Sequence, residues 1–447
     1  MKTLLSESTF VGTEGQAIHF PIIRGETKIV VFVLLSSLTA RILFFPAQGC
    51  WGDLATFATW FKSAAENGPF LFYQTVSWCD YPPLNVYTFW SFGSLAKSLA
   101  LFETPALVYI LKLPSTLFDT ATAGLIYIFL KKRLSIDRSL VMTAFYAFNP
   151  ATIFNGSVWG QFDAIYTFFL ILSLLFIFES KPKMSVASFT LAVLTKPQSI
   201  ALAPLIVFWL IGKRNWRTLV SSVLVSTGLI LAVSAPLSLN NLADFLVKIY
   251  LKGYSSYPYT SANAFNFWAL VGLRQSDAQS LLFLDLFKIG WLMFGALTVF
   301  SLYYFLKMST SAIRTGHTFE ISMLFTAFVL LFGFFMLPTR IHERYLFPVI
   351  SMLVMMMPFL REAKLLYGVL TFTYLSNMAY VLPFINVGTR IPDGDLFVYL
   401  IAALNLASFV GTLILMVGNL RRQATLTSDR TYGKSNQSVV NEDENLC

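Results

Sequence analysis

The chain predicts an all-α polytopic membrane protein of roughly 12 to 14 transmembrane helices, with a long first non-cytoplasmic loop carrying short interfacial helices. Composition is the first of three observations behind this. Of 447 residues, 56% are hydrophobic and 12% charged, where soluble domains run at about a quarter charged. Segment length is the second, because apolar runs of about the 20 residues needed to cross a bilayer recur along the chain. Third, basic residues gather at alternate gaps between those runs, as they do where positive charge stays on the cytoplasmic side. The surplus of 32 basic over 23 acidic residues is therefore read as topology and not as a nucleic-acid surface. The three cysteines lack metal-ligand spacing, so no structural zinc is expected.

Residues 1–27 are polar and mixed, without the pattern of a cleavable signal peptide. Candidate spans follow at 29–45, 84–101, 115–130, 140–154, 164–178, 219–235, 281–306, 321–337, 346–360, 365–384 and 397–418. Basic residues at 131–133, 181/183, 213/214/217, 307/314, 361/364 and 421/422 put both termini inside. The gaps 46–83, 155–163, 236–277, 338–345 and 385–396 then lie outside. With these sides fixed, 104–113 must climb back outward between two inward spans. Residues 184–211 have cytoplasmic charge at both ends and "TKPQ" at the centre. A straight helix of that length, about 42 Å, would end on the wrong side. The segment reads as a re-entrant or kinked hairpin with Lys196, Pro197 and Gln198 at its tip, backbone tolerated only against protein or a wet cavity. The division is a membrane domain, 1–420, and a polar cytoplasmic tail, 421–447, expected to lack fixed structure.

The polar residues that orientation leaves unexplained lie at or near outer helix ends: Arg41, Asp53, Asp80, Gln161, Asp163, Lys196, Gln198, Arg340, His342, Glu343 and Arg344. Ionisable groups in such places are costly and read as functional by default. Each also has a structural reading. Asp53 in "WGDLATFATW" and Asp163 in "WGQFDAIY" would serve as helix N-caps. Asp80 in "WCDYPPLNVY" precedes a tyrosine, Tyr81, held extended by the proline after it. Lys196 could snorkel to the surface. "NGS" at 155–157 fits a glycosylation pattern, but its membrane-tight turn argues against modification. Cys50 and Cys79 are candidates for a disulfide closing about 30 residues, with two buried thiols as the alternative if the loop packs tightly.

"LPTRIHERYLFP", 337–348, is the most unusual stretch, with two arginines and a histidine on the outer side. Arginine forks match phosphate geometry. Carboxylates from the first half and cations from the second, between apolar helices, suit a substrate with a phosphate at the membrane surface and a long hydrocarbon chain.

At these residues the chain resembles the GT-C class of membrane glycosyltransferases. The first loop "GD…W", then "DYPPL", "WGQFDAIY", "TKPQ" and "RIHERYLFP" stand in that class's order and sidedness, over 41–348. The nearest likeness is to the dolichyl-phosphate-glucose-dependent glucosyltransferases and to prokaryotic mannosyltransferases related to the second GPI mannosyltransferase. The resemblance implies inverting sugar transfer, with mannose the first candidate, from a polyprenyl- or dolichyl-phosphate sugar to a glycolipid or other lipid-linked acceptor on the non-cytoplasmic face. It implies Asp53 as base and His342 with Arg340 or Arg344 at the donor phosphate. Lys196 joins them as a phosphate or carboxylate partner. Arg41, Asp80, Tyr81, Gln161, Asp163, Gln198 and Glu343 would line the site. No tightly bound cofactor is expected, though a divalent cation shared by Asp53 and the phosphate fits the chemistry. Without a recognisable retrieval signal or lumenal domain, the expected location is a prokaryotic plasma membrane rather than the endoplasmic reticulum. A multi-pass lipid or solute transporter is the rival reading. Transporters concentrate ionisable groups at the bilayer midplane on broken helices, whereas here they sit at helix ends.

Overall fold

The computed structural model describes residues 5–11, 17–23, 25–238, 241–281, 283–309 and 317–443. After an antiparallel pair, β1 (Leu5–Val11) and β2 (Ala17–Ile23), the chain is almost wholly helical. Helices α1 (Gly25–Leu43), α2 (Trp51–Asn67), α3 (Phe72–Thr75), α4 (Pro83–Ser98), α5 (Leu107–Lys131) and α6 (Ile136–Ala147) form the first half. Then α7 (Pro150–Ile153) runs into a π-helical turn, Phe154–Trp159, followed by α8 (Asp163–Phe178), α9 (Pro182–Thr195), a 3-10 turn at Pro197–Leu202, α10 (Ala203–Gly212), α11 (Trp216–Ser238) and the amphipathic α12 (Leu242–Ser255). A two-residue hairpin, β3 (Ser280–Leu281) and β4 (Leu284–Asp285), leads to α13 (Leu286–Ser309), α14 (Thr318–Met336), α15 (Phe347–Met356), α16 (Arg361–Val387) and α17 (Leu396–Asp443).

Among the described residues six helices are long and apolar enough to cross a membrane: α5, α11, α13, α14, α16 and the first part of α17. The chain is a multi-pass helical membrane protein. The count of single long spans falls short of the 12 to 14 read from sequence, because several apolar segments form shorter helices. Exposed side chains such as Phe32, Leu224 and Val299 form the faces that a bilayer would cover.

One end of the bundle is closed by ion pairs that tie four helices together. Lys131 meets Glu26, Lys132 meets Glu179 at 2.7 Å, and Arg133 meets Glu320. The starts of α1 and α14 therefore share a level with the ends of α5 and α8. At the opposite end Lys112 of α5 donates to the carbonyls of Phe45 and Ala47, at 2.9 and 3.0 Å, where two of the orphan acceptors beyond α1 lie.

The segment expected to cross at 84–101 instead lies alongside α2. Its buried face, Val86, Phe89, Gly93 and Ala96, packs on Phe57, Trp60, Phe61 and Ala64. Gly93 permits the close approach, since a Cβ there would stand 2.2 Å from the Phe61 carbonyl oxygen. With both ends of α4 at the Lys112 end, no separate outward piece at 104–113 is needed. Residues 107–113 are the first turns of α5, which continues through Pro114.

The expected reversal at Lys196 is present. Thr190 bonds Ser226 at 2.8 Å, while Asn85 and Tyr87 of one α4 turn bond the carbonyls of Thr195 and Val233. Helices α9 and α11 thus run in the same direction, so α10 must return between them. Cys50 and Cys79 are free thiols and do not form the candidate disulfide. Trp60 holds the Trp78 carbonyl at 3.0 Å, which sets Cys79 beside a point about 15 Å along α2 from Cys50. The tail continues α17 to Asp443, where no fixed structure was expected; Arg314 and Cys447 lie outside the described residues.

Candidate functional site

Asp53 stands in the first turn of α2, and Cys50 occupies the N-cap position without a side-chain cap bond. The carboxylate is therefore not a cap. Its position is set by the turn across from it. The π-helical turn ends at Gly160, whose φ of +97° is left-handed and whose absent Cβ would stand 2.7 Å from Leu54. That reversal brings Trp159 Nε1 to 2.9 Å from Asp53 Oδ2 and lets Gln161 Nε2 donate to the same oxygen. Gln161 Oε1 accepts from the Tyr81 hydroxyl at 3.0 Å. Asn386, at the end of α16, donates to the Gly49 carbonyl and accepts from Trp51 N, both at 2.9 Å, pinning the start of α2. Among the described residues nothing donates to Asp53 Oδ1.

Asp163 begins α8, and again its side chain makes no cap bond. It receives Lys196 Nζ at 2.7 Å and Asn155 Nδ2 at 3.1 Å on separate oxygens. Lys196 sits in the extended break between α9 and the 3-10 turn, 5.3 Å from the Tyr81 ring centroid. Asn155, the acceptor residue of "NGS", is buried. The Gln198 Oε1 atom is buried with no partner.

The 337–348 stretch divides its cations between two tasks. Arg340, at φ +66°, binds Asp277 through Nε at 2.7 Å and Nη2 at 3.3 Å, with Thr339 on the same carboxylate at 2.9 Å. It packs over Phe287 at 4.5 Å and Tyr254 at 5.2 Å. Arg344 donates through Nη1 to Glu343 Oε1 at 2.8 Å, while Arg344 Nε and Glu343 Oε2 are buried without partners. The carboxylates of Glu343, Asp53 and Asp163 favour the charged form of Arg344, and that charge acts in turn on Asp80. His342 lies against the Tyr257 ring, with centroids 4.7 Å apart at 84°, and against Tyr345. Burial, then the nearby charges of Arg344, Lys196 and Arg274, hold its imidazole well below the usual histidine range, so it is neutral near pH 7.

These groups face a cavity of about 260 Å³. Asp80, Lys196, Gln198, Arg340, His342 and Arg344 supply its polar wall; Val193, Ile200, Leu251, Trp291 and Phe334 supply an apolar one. Asp80 Oδ1 is buried and unpartnered. Burial raises its carboxyl above the ordinary aspartate value, while Arg344 and Lys196 pull it back down. Asp53, Gln161, Asp163 and Glu343 stand behind this wall, with Tyr81 on it. Arg41 is elsewhere: it is buried among α1, α5 and α6, paired with Asp119 at 2.8 Å. Sequence reading missed the partners Asp119 and Asp277 and the tyrosines 250, 254 and 257 over the cavity. The tyrosines were visible as an i, i+4, i+7 series on the amphipathic α12 and its exit. Compared with family models and with curated proteins, the chain matches none of either.

Proposed function

We propose that the chain is an inverting membrane glycosyltransferase, moving a sugar from a polyprenyl-phosphate sugar to a lipid-linked acceptor on the non-cytoplasmic face of its membrane. One observation carries this reading. A cavity with unspent cationic hydrogen-bond donors also has an apolar wall, which suits a phosphate joined to a hydrocarbon chain. Arg344 Nε is a buried donor with no partner. Lys196 spends one of its three N–H bonds on Asp163. Both aim charge at the phosphate, with the neutral His342 as a further hydrogen-bonding group.

The reaction needs one base and no general acid. The phosphate leaves as a stable anion, whereas a glycosidic leaving oxygen must be protonated. The acceptor oxygen attacks the anomeric carbon, the bond from that carbon to the phosphate oxygen breaks, and its electron pair stays on the phosphate. Asp53 takes the acceptor proton on Oδ1. Trp159 and Gln161 fix the carboxylate through Oδ2. Direct displacement inverts the anomeric centre. If a divalent cation binds at the phosphate, Asp80, whose Oδ1 is buried without a partner, with Asp53 would be the residues to hold it, and it would supply Lewis-acid charge there.

Membranes containing the protein, supplied with radiolabelled polyprenyl-phosphate mannose, glucose or arabinose and a panel of lipid acceptors, test the reading. Transfer of one label to a lipid acceptor supports it. Movement of intact labelled lipid between leaflets, with no transfer, would mark a transporter.

A further inference from the structure

A second polar cleft opens beside the site, and nothing in the proposed chemistry uses it. It encloses about 330 Å³ between the 273–275 loop and the 390–393 loop, with Asn263, Arg274, Gln275, Arg390 and Asp393 on its walls. A smaller hollow of about 210 Å³ shares Leu273, Gln275, Pro392 and Asp393 and extends it. Two arginines therefore line one space. Among the described residues neither makes an ion pair with Asp393 or any other carboxylate. Arg274 spends Nε on Asn263 Oδ1 at 3.1 Å, leaving its terminal fork open.

The cleft joins the site through both of its walls. Asn263 bridges to His342, and Asn377 clamps the Asn263 carbonyl at 2.9 Å. On the other wall, Arg390 follows Asn386, which pins the start of α2 two residues before Asp53. Asn263 and Arg274 both hold positive φ, +70° and +55°, a conformation that costs non-glycine residues energy and persists where the surroundings fix it. The Arg274 fork is thus held in place by the same loop contacts that hold His342.

We infer that this cleft binds a phosphate-bearing headgroup, and that in the proposed reaction it holds the acceptor lipid while the donor fills the first cavity. Two forks suit a phosphate monoester, and Asn263, Gln275 and Asp393 offer hydrogen bonds to attached hydroxyls. The site itself stands on the cleft; its assignment to the acceptor rests on the glycosyltransferase reading.

Direct binding to the purified full-length protein in detergent separates the two. The probes are dihexanoyl phosphatidic acid for this cleft, inorganic phosphate for the same group without a lipid, and citronellyl phosphate for the first cavity. Arg274→Gln and Arg390→Gln should each weaken phosphatidic acid by about ten- to a hundred-fold, the loss of one charge-assisted bond. Arg390 is exposed, so its variant tests the cleft without disturbing the fold. Arg344→Gln should weaken citronellyl phosphate and spare phosphatidic acid. Tighter binding of the lipid than of inorganic phosphate identifies a headgroup site. Unchanged phosphatidic acid affinity in the double variant, or equal affinity for dihexanoyl phosphatidylcholine, would overturn the inference. Retention of the phosphatidic acid pattern with no citronellyl phosphate binding would support the cleft and sink the donor reading.

Discussion

Two buried clusters of charge in this protein look alike in sequence and differ in what they leave over. Around Arg41 the network is closed. Its guanidinium reaches Asp119 Oδ2, Ser37, the Ala147 carbonyl and Thr152, while Asp119 Oδ1 accepts from Tyr146 at 2.6 Å. Around Arg344 it is open. Arg344 Nε, Glu343 Oε2, Asp80 Oδ1 and Gln198 Oε1 are buried without partners, at or beside one cavity. A buried polar atom left unpaired costs about 1–3 kcal/mol. The closed cluster holds helices together; in the proposed function the open one is completed when the donor arrives.

The sharpest way to break this comparison is to remove one arginine from each cluster. Arg41→Gln strands Asp119 in the bundle, and breaking such a pair costs about 3–5 kcal/mol. The variant should lose most of its monodisperse yield in detergent. Arg344→Gln, made together with Glu343→Gln so that no buried carboxylate is stranded, should keep yield and melting temperature near the parent's while raising the donor dissociation constant about ten- to a hundred-fold. If both variants lose yield alike, the open cluster is as structural as the closed one.

Arg340 tests the boundary between the two. Its fork is committed to the buried Asp277, so Arg340→Ala should loosen the 337–342 loop and raise donor and acceptor constants together. A rise in the donor constant alone would return Arg340 to the phosphate.

The smallest effect concerns His342. Its folded pKa lies below the unfolded value, so the unfolded chain binds more protons as pH falls and stability is lost below about pH 6.5. His342→Gln should flatten that acid loss of melting temperature. Donor binding by the parent should show no histidine titration between about pH 6.5 and 8. A donor affinity that falls as pH rises through that window would mean the imidazolium is the binding form.

Much of this was legible before any coordinates. Helical class followed from composition, the reversal at Lys196 from charge on both flanks of one apolar segment, and most of the polar residues now found around the candidate cavity from their places at helix ends. Residues 84–101 misled because Phe89 and Val86 suit an aromatic interface as well as lipid, and composition does not separate the two. Partnerships were hidden for a different reason. Arg41 finds Asp119 and Arg340 finds Asp277 across 78 and 63 residues, and nothing local announces such a pair. Hence Arg41 was expected to line the site until its pairing with Asp119 was known.

The central claim is that Asp53 removes the acceptor proton. Asparagine keeps the side chain's shape and can still accept from Trp159 and Gln161, but it cannot take a proton. The deciding measurement is turnover of Asp53→Asn with labelled polyprenyl-phosphate sugar, alongside its citronellyl phosphate affinity. A general base typically contributes about 10²–10⁴-fold, so turnover should fall by that factor while affinity stays near the parent's. An Asp53→Asn protein that turns over at the parent's rate, with Asp80→Asn inactive, would contradict the account and move the base to Asp80.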